Sequence, residues 1–381
     1  MNLKELWLLL FYRVVSLPFK IFPVDHKLIL FEAYYGKGFE DSPSEIAKEL
    51  HDRYKNDIKL AWLVRDIHAA KTLPSFITPV RRFSLKELYY LSCSHIWIDN
   101  CRKMRGIKKR KNQFYIQTWH GGIGSKKVEK QVADILSNGY IKNAINDSNM
   151  ADLFLSGSRW QTKLYRDAFW YSGEILERGL PRNDIFFRDS CEIKKKVRDF
   201  YNINGNKHIV VYAPTFRDSD DTKWLDLKFD KLITNLGKYW GGEWIVIVRM
   251  HPSALSLQSI IKYSDTIKNG SVYPEMNELT IASDVLISDY SSCIFDAILN
   301  QHRVIRYVPD IDRYKQLRGT NLDEEDLPFP TAYNNDQIER ILREYDYQAE
   351  VIKQKLFLEK VGSAEIGCAS KAVVERISEL L

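Results

Sequence analysis

At 381 residues the chain exceeds what one hydrophobic core usually fills, so two domains of ordinary size are expected. Hydrophobic residues at 45% and aromatics at 13% are enough for packed cores and exclude a disordered chain. The formal charge of +6 sits in local clusters, such as Arg102 to Gln113, rather than in one tail; that suits acidic substrates or an anionic membrane face, and with no recognisable binding motif beside it, nucleic acid is not an expected partner.

The first 22 residues, MNLKELWLLLFYRVVSLPFKIF, are apolar and aromatic but interrupted by Lys4, Glu5, Arg13 and Lys20. The uncharged run from Leu6 to Tyr12 is far shorter than the ~20 apolar residues a membrane span needs. Charges inside the apolar stretch, with no small-residue cleavage site after it, argue against a secretory signal. What remains is an amphipathic helix, either lying in a membrane interface, as Trp7, Phe11 and Tyr12 beside basic residues suggest, or docked on the protein itself.

From Lys27 onward strands alternate with helices. HKLILFEAYYG reads as a buried strand running into a glycine loop, and SPSEIAKELHDRY as a helix capped by Ser42 or Ser44. IKLAWLVRD, HIWIDN and KNQFYIQTWHG follow as strands, with SLKELYYLSCS as a helix, and ADLFLSGSRW opens a further strand and helix. After the charged helix SCEIKKKVRDFYNINGNK the alternation restarts with HIVVYAPTFRD, EWIVIVRMHP, SVYPEM, ASDVLISDYSS and HRVIRYVPD as strands. Two alternating blocks joined near residue 190 predict two doubly wound α/β domains facing each other across a cleft, with the last helix able to cap either half. The cysteines, Cys93, Cys101, Cys191, Cys293 and Cys368, lack any zinc spacing and read as reduced thiols.

Several motifs carry candidate chemistry. In IQTWHGGIGSKK, His120 lies between Trp119 and the pair Gly121-Gly122; the tetrapeptide alone does not separate an acid, base or ligand from a histidine that satisfies backbone. In VLISDYSSCIFDAI an apolar strand ends at Ser288 and a helix begins near Ser291, with Asp296 on its first turns. Its free amides and the hydroxyls of Ser291 and Ser292 can hold a phosphate, or Asp289 or a serine simply caps the helix. In VRMHP, Arg249 and His251 alternate along a strand and share a face. YAPTFRD ends a strand at Pro214 and is followed by Thr215 and Arg217, a guanidinium suited to phosphate. Three strand ends thus converge on one anion site, where open α/β sheets bind ligands. Asp218 and Asp220 in DSDD leave Mg²⁺ as an option, although an exposed polar loop accounts for them better; no metal is required by the reading.

Taken in order, QTWHGG, ERGLPRND, YAPTFRD, RMHP, ISDYSSCIFDAI and PDIDRYKQLRG resemble the signature series of the CDP-glycerol and CDP-ribitol glycerophosphotransferase family that builds teichoic acids. The resemblance implies a GT-B arrangement of two Rossmann-like domains. Segment 1–25 would then associate with the membrane, 26–190 would bind the acceptor and 191–381 the CDP donor. It also implies that His120 takes the proton of the acceptor hydroxyl, with Trp119, Gly121 and Gly122 on the acceptor side. His251 would offset charge on departing CMP, Thr215, Arg217, Arg249, Ser291 and Ser292 would cradle the pyrophosphate, Asp296 would reach the ribose, and Arg318 would add a phosphate contact. The implied reaction transfers glycerol phosphate or ribitol phosphate from CDP-glycerol or CDP-ribitol to a lipid-linked saccharide or polyol-phosphate acceptor, at the cytoplasmic face of the bacterial membrane.

Departures from the pattern are local. Gly122-Ile123-Gly124-Ser125 replaces the usual Thr-Pro continuation after Trp-His-Gly, and TNLDEEDLP follows Gly319 in place of an aromatic-rich segment. The compact length points to a primase or short-chain transferase rather than a long polymerase. Two other readings compete: a GT-B glycosyltransferase using a nucleotide sugar, and a noncatalytic membrane scaffold that keeps a degenerate nucleotide site.

Overall fold

The computed structural model describes residues 3–217, 222–250, 254, 257, 259–317 and 319–381. Its chain divides into two compact units, the first built from residues 1–120, 128–184 and 364–381, the second from 121–127 and 185–363. Each has a parallel sheet of the Rossmann type, so the alternation read from the sequence corresponds to two α/β units.

In the first unit the strands are β1 (Asp25–Glu32), β2 (Lys59–Val64), β3 (Ile77–Arg81), β4 (Ser94–Asp99), β5 (Phe114–Gln117), β6 (Leu153–Ser156) and β7 (Glu174–Glu177). They form one sheet in the order β3-β2-β1-β4-β5-β6-β7, parallel throughout. Runs such as Ile29-Leu30-Phe31 are buried on both faces, which is why they read as continuous apolar stretches rather than alternating ones. Helix Leu85–Cys93 starts where Ser84 accepts from the Glu87 amide at 3.1 Å, and helix Arg159–Ala168 where Ser158 accepts from Gln161 at 3.1 Å.

Two sequence expectations shift here. The helix Asp41–Tyr54 begins before Ser42 and Ser44, with Glu40 at the cap position and the Asp41 carboxylate accepting from the Ser42 amide at 2.6 Å. The closing helix Ala369–Ser378 belongs to the first unit, not to a second domain running to residue 381: Val373, Val374 and Ile377 pack in one cluster with Ile46, Ala47 and Leu50.

The amino-terminal segment is a helix over Leu3–Leu10 that widens to π pitch over Phe11–Val15 and tightens to 3-10 over Leu17–Ile21. Leu8 and Tyr12 are buried against the sheet, and the Tyr12 hydroxyl donates to Glu87 at 3.0 Å. Gly106, at φ +100°, lets the chain pass beneath this segment; a Cβ there would lie 3.2 Å from the Leu8 carbonyl and 3.3 Å from Tyr12 Cβ. One face of the segment is therefore docked on the protein. Among the described residues no helix is long and apolar enough to cross a membrane.

The second unit holds β8 (His208–Ala213), β9 (Trp244–Val248), β10 (Ile267–Asn269), β11 (Val285–Ser288), β12 (Arg303–Tyr307) and β13 (Thr331–Ala332) in the order β10-β9-β8-β11-β12-β13, again parallel. The expected strand SVYPEM is not one. The strand lies just before it, and a 3-10 turn over Gly270–Val272 follows because the Asn269 side chain accepts from the Ser271 amide at 2.9 Å. Pro274, which has no amide to give a ladder, then separates this turn from the helix Met276–Ala282.

Candidate active site

His120 sits just past the carboxyl end of β5, in a turn braced by its neighbours. The Thr118 amide donates to the Asp99 carbonyl at 2.8 Å, and the Trp119 amide to Gln117 Oε1 at 2.9 Å. Gln117 in turn donates through Nε2 to the Cys101 carbonyl at 3.0 Å. Trp119 adopts φ +55°, a left-handed conformation that an L-tryptophan holds only when its surroundings fix it. Here they do: its ring stacks on His120 at 4.4 Å, meets Phe169 edge-on at 4.8 Å, and lies 5.4 Å from the Arg102 guanidinium.

The imidazole orientation follows from one bond. His120 Nδ1 lies 2.8 Å from the Asn100 carbonyl, which can only accept, so Nδ1 carries the proton in the neutral ring. Nε2 then keeps its lone pair and has no hydrogen-bond partner among the described residues. Burial pushes the His120 pKa below the ordinary histidine value, against the bond to Asn100 and the charge of Asp41, which pull it up. A neutral imidazole with one fixed nitrogen and one available nitrogen is what a general base needs.

Around it stand residues the sequence reading did not assign. The Tyr34 amide donates to Asn100 Oδ1 at 2.8 Å, its hydroxyl to Asp41 at 2.5 Å, and its ring lies 5.9 Å from His120. Arg182 donates to the His120 carbonyl at 3.3 Å and lies 3.6 Å from Asp41. The motif ERGLPRND makes sense in this setting. Leu180 and Asn183 bind the Glu365 carboxylate, Asp184 accepts from the amides of Ala369 and Ser370, and Arg182 reaches the His120 carbonyl. The signal was present, since Arg182 lies in a motif already singled out, but its partners come from distant segments.

Within the second unit, Thr215, Arg217, Ser291 and Ser292 collect at the carboxyl ends of β8 and β11. Their organiser is Asp289, which accepts from the Thr215 amide at 3.0 Å and its hydroxyl at 2.5 Å, from the Tyr290 amide at 2.6 Å and from Arg217 at 2.8 Å. Arg217 is 8% exposed and also binds Asp310 at 2.7 Å, so its guanidinium is committed to two carboxylates. Arg249 follows the end of β9 and donates to the carbonyls of Gly270, Tyr273 and Pro274. Both arginines thus brace the loops at the strand ends. The helix after Ser292 spans only Cys293–Ala297, too short for a strong dipole, which leaves the half-buried hydroxyls of Ser291 and Ser292 as the more substantial polar feature. Asp296 is buried at 2% exposure.

The stretch after His120 belongs to this unit as well. Lys126 pairs with Thr320 in an antiparallel bridge, the Asn321 amide donates to the Ser125 carbonyl at 2.5 Å, and a Cβ on Gly121 would stand 3.3 Å from Ser292 Oγ. Gly121 therefore borders the serine pair assigned to the donor, and Gly122, next in the turn, is half-buried. His251, Arg318 and the aspartates Asp218 and Asp220 lie outside the described residues.

A family model for CDP-glycerol:poly(glycerophosphate) glycerophosphotransferases matches residues 13–379. The chain belongs to that family. It is 32% identical to a teichoic acid poly(glycerol phosphate) polymerase of Bacillus spizizenii, with 97% of each chain covered, and 29% identical to a teichoic acid glycerol-phosphate transferase of Staphylococcus aureus, with 92% of each covered. It spans only 51% of the corresponding polymerase of Staphylococcus epidermidis. Among solved structures, wall teichoic acid polymerase TagF soaked with CDPG aligns over 100% of this chain and 98% of its own, at 27% identity and a TM-score of 0.86. The protein is thus a transferase of polyol phosphate in the teichoic acid family, with two Rossmann-like domains of the GT-B class. Length does not separate primases from polymerases here, because the B. spizizenii relative of matching extent carries the polymerase name.

Proposed function

We propose that this protein transfers glycerol phosphate from CDP-glycerol to a hydroxyl of a lipid-linked acceptor, with His120 as the general base. The observation that carries this reading is the Nδ1 bond of His120 to the Asn100 carbonyl, which leaves Nε2 as the proton-accepting atom. In the proposed step Nε2 removes the acceptor proton as the hydroxyl oxygen bonds to the phosphorus that bears glycerol. The bond from that phosphorus to the bridging oxygen breaks, and CMP leaves with the electron pair. Ser291 and Ser292 supply hydroxyl donors to the donor phosphates, with Thr215 held beside them through Asp289. His251, placed by sequence alone, is assigned to the pyrophosphate. Glycerol is preferred to ribitol because the better-matched relatives carry glycerol-phosphate names. The exposed apolar face of the amino-terminal segment supports a peripheral site of action at the cytoplasmic face of the membrane.

The test is acceptor-dependent CMP release from CDP-glycerol, with CDP-ribitol and a UDP-sugar as parallel donors. His120→Ala is expected to lower kcat by about 10²–10⁴ with the donor KM little changed. In the wild type, the acid limb of kcat/KM is expected at a pH below the ordinary histidine value, because the neutral ring is the active form and burial favours it. A His120→Ala enzyme with wild-type turnover would remove the base; release of UDP alone would replace the donor.

A further inference from the structure

The amino-terminal segment leaves unused a second feature, a cavity of about 240 Å³ between itself, the helix Leu85–Cys93 and the loop Gly106–Arg110. Its floor is apolar, formed by the buried Leu88, Leu91 and Ile107, with the exposed Leu17 at its edge. Four cationic residues line it, Arg13, Lys20, Lys108 and Arg110, and among the described residues no carboxylate does. Arg110 is held in place by donating to the Phe22 carbonyl at 2.8 Å and the Ser92 carbonyl at 3.0 Å. Ser16 donates to the Tyr12 carbonyl at 2.7 Å, fixing the wall opposite.

The surroundings of the cavity are apolar where a soluble protein is normally polar. Trp7, Leu10, Val14, Leu17 and Ile21 are 46%, 51%, 53%, 54% and 84% exposed, and Phe22 at 46% packs edge-on to Tyr89. They continue the segment whose other face, Leu8 and Tyr12, is buried. A row of exposed large apolar side chains marks an interaction surface rather than an ordinary one. Paired with a basic recess that has an apolar floor, it matches a molecule with an anionic head and hydrocarbon tails, in which the charge is recessed and the chains lie outside.

We propose that this cavity is a binding site for the phosphate headgroup of an anionic membrane phospholipid, held by Arg13, Lys20, Lys108 and Arg110, while the exposed apolar row enters the surrounding acyl region. The proposal rests on the peripheral membrane reading of the same segment and deepens it: attachment is selective for headgroup charge, not only for apolar depth. The site also fixes the segment's orientation, because the cavity opens between it and the folded domain.

The experiment is sedimentation of the full chain with phosphatidylglycerol-containing vesicles and with pure phosphatidylcholine vesicles, for wild type, the double variant R13Q/K108Q and the charge-matched control K238Q/K353Q. Thermal melting confirms that each variant is folded, which the exposure of Arg13 and Lys108 favours. Each basic residue near an anionic surface contributes a factor of about five, so R13Q/K108Q should lose roughly 20- to 30-fold in partitioning to phosphatidylglycerol vesicles. Its binding to phosphatidylcholine vesicles should not change, and the control should stay close to wild type. Equal losses in the double variant and the control would overturn the headgroup site and leave the membrane reading standing. If wild type bound neither vesicle, both would fail. Titration with inorganic phosphate separates the remaining source: phosphate binding abolished by R13Q/K108Q, without any vesicle preference, would reassign the cations to a soluble anion and overturn the proposal.

Discussion

A histidine in water divides its proton between two nitrogens, and His120 is prevented from doing so by a single carbonyl, that of Asn100 at 2.8 Å. No sequence pattern announces that bond, because its acceptor is main chain and lies 20 residues away. The identity of His120 as a candidate was legible; its tautomer was not. Arg217 gives the complementary case. As a cation after a strand end it was visible in YAPTFRD, yet its role depends on Asp289 and Asp310, 72 and 93 residues distant in the chain. A guanidinium that neutralises a buried carboxylate, Asp289, and a partly buried one, Asp310, is costly to remove, since the carboxylates stay behind without their partner. Arg217→Gln is therefore expected to destabilise the second unit by roughly 3–5 kcal/mol in urea unfolding. A loss below about 1 kcal/mol would show that Arg217 is not the brace described.

At the level of elements, the buried parallel strands were the most legible feature, because near-continuous Val, Ile and Leu runs of this length, bounded by loops, fit a strand covered on both faces and little else. Short elements were not. SVYPEM has strand composition, but a side-chain cap from Asn269 and the following proline redirect it into a turn. The amino-terminal segment presented two outcomes, membrane or protein, and the structure gives the protein one face while leaving the other exposed. Gly106 is the hinge of that docking. At φ +100°, with the Leu8 carbonyl 3.2 Å from where a Cβ would be, Gly106→Ala should strain the loop by about 1–3 kcal/mol and loosen the segment. Limited proteolysis checks it: cleavage between residues 3 and 22 should quicken in the variant while the rest of the first unit stays resistant. Unchanged cleavage would mean the contact is not what holds the segment.

For the whole molecule, the two-block organisation was legible from the restart of alternation near residue 190, but the ownership of residues 121–127 and 364–381 was not, since both are tied by contacts remote in sequence. The second unit also carries a group through which acid acts on its stability. In it, His302 is half-buried beside Ser283 at 2.9 Å, and its loss of solvent pushes its pKa down to about 4. Its unfolded form takes up a proton near the ordinary value of 6.5, so the unfolded chain binds more protons between pH 6.5 and 4. Stability from this group is complete above pH 6.5 and is lost as pH falls towards 4. Denaturant titrations over that window should show a slope that His302→Gln flattens; an identical slope in the variant would place the titration elsewhere.

The return of residues 364–381 to the first unit has a consequence for how the protein is made. A ribosome delivers the whole of 185–363 before the stretch of chain that carries Glu365, Val373, Val374 and Ile377, so the bonds that Leu180, Asn183 and Asp184 make to that stretch can close only after residues 185–363 have been synthesised. A chain that stopped before residue 364 would lack the helix whose Val373, Val374 and Ile377 complete the cluster with Ile46, Ala47 and Leu50.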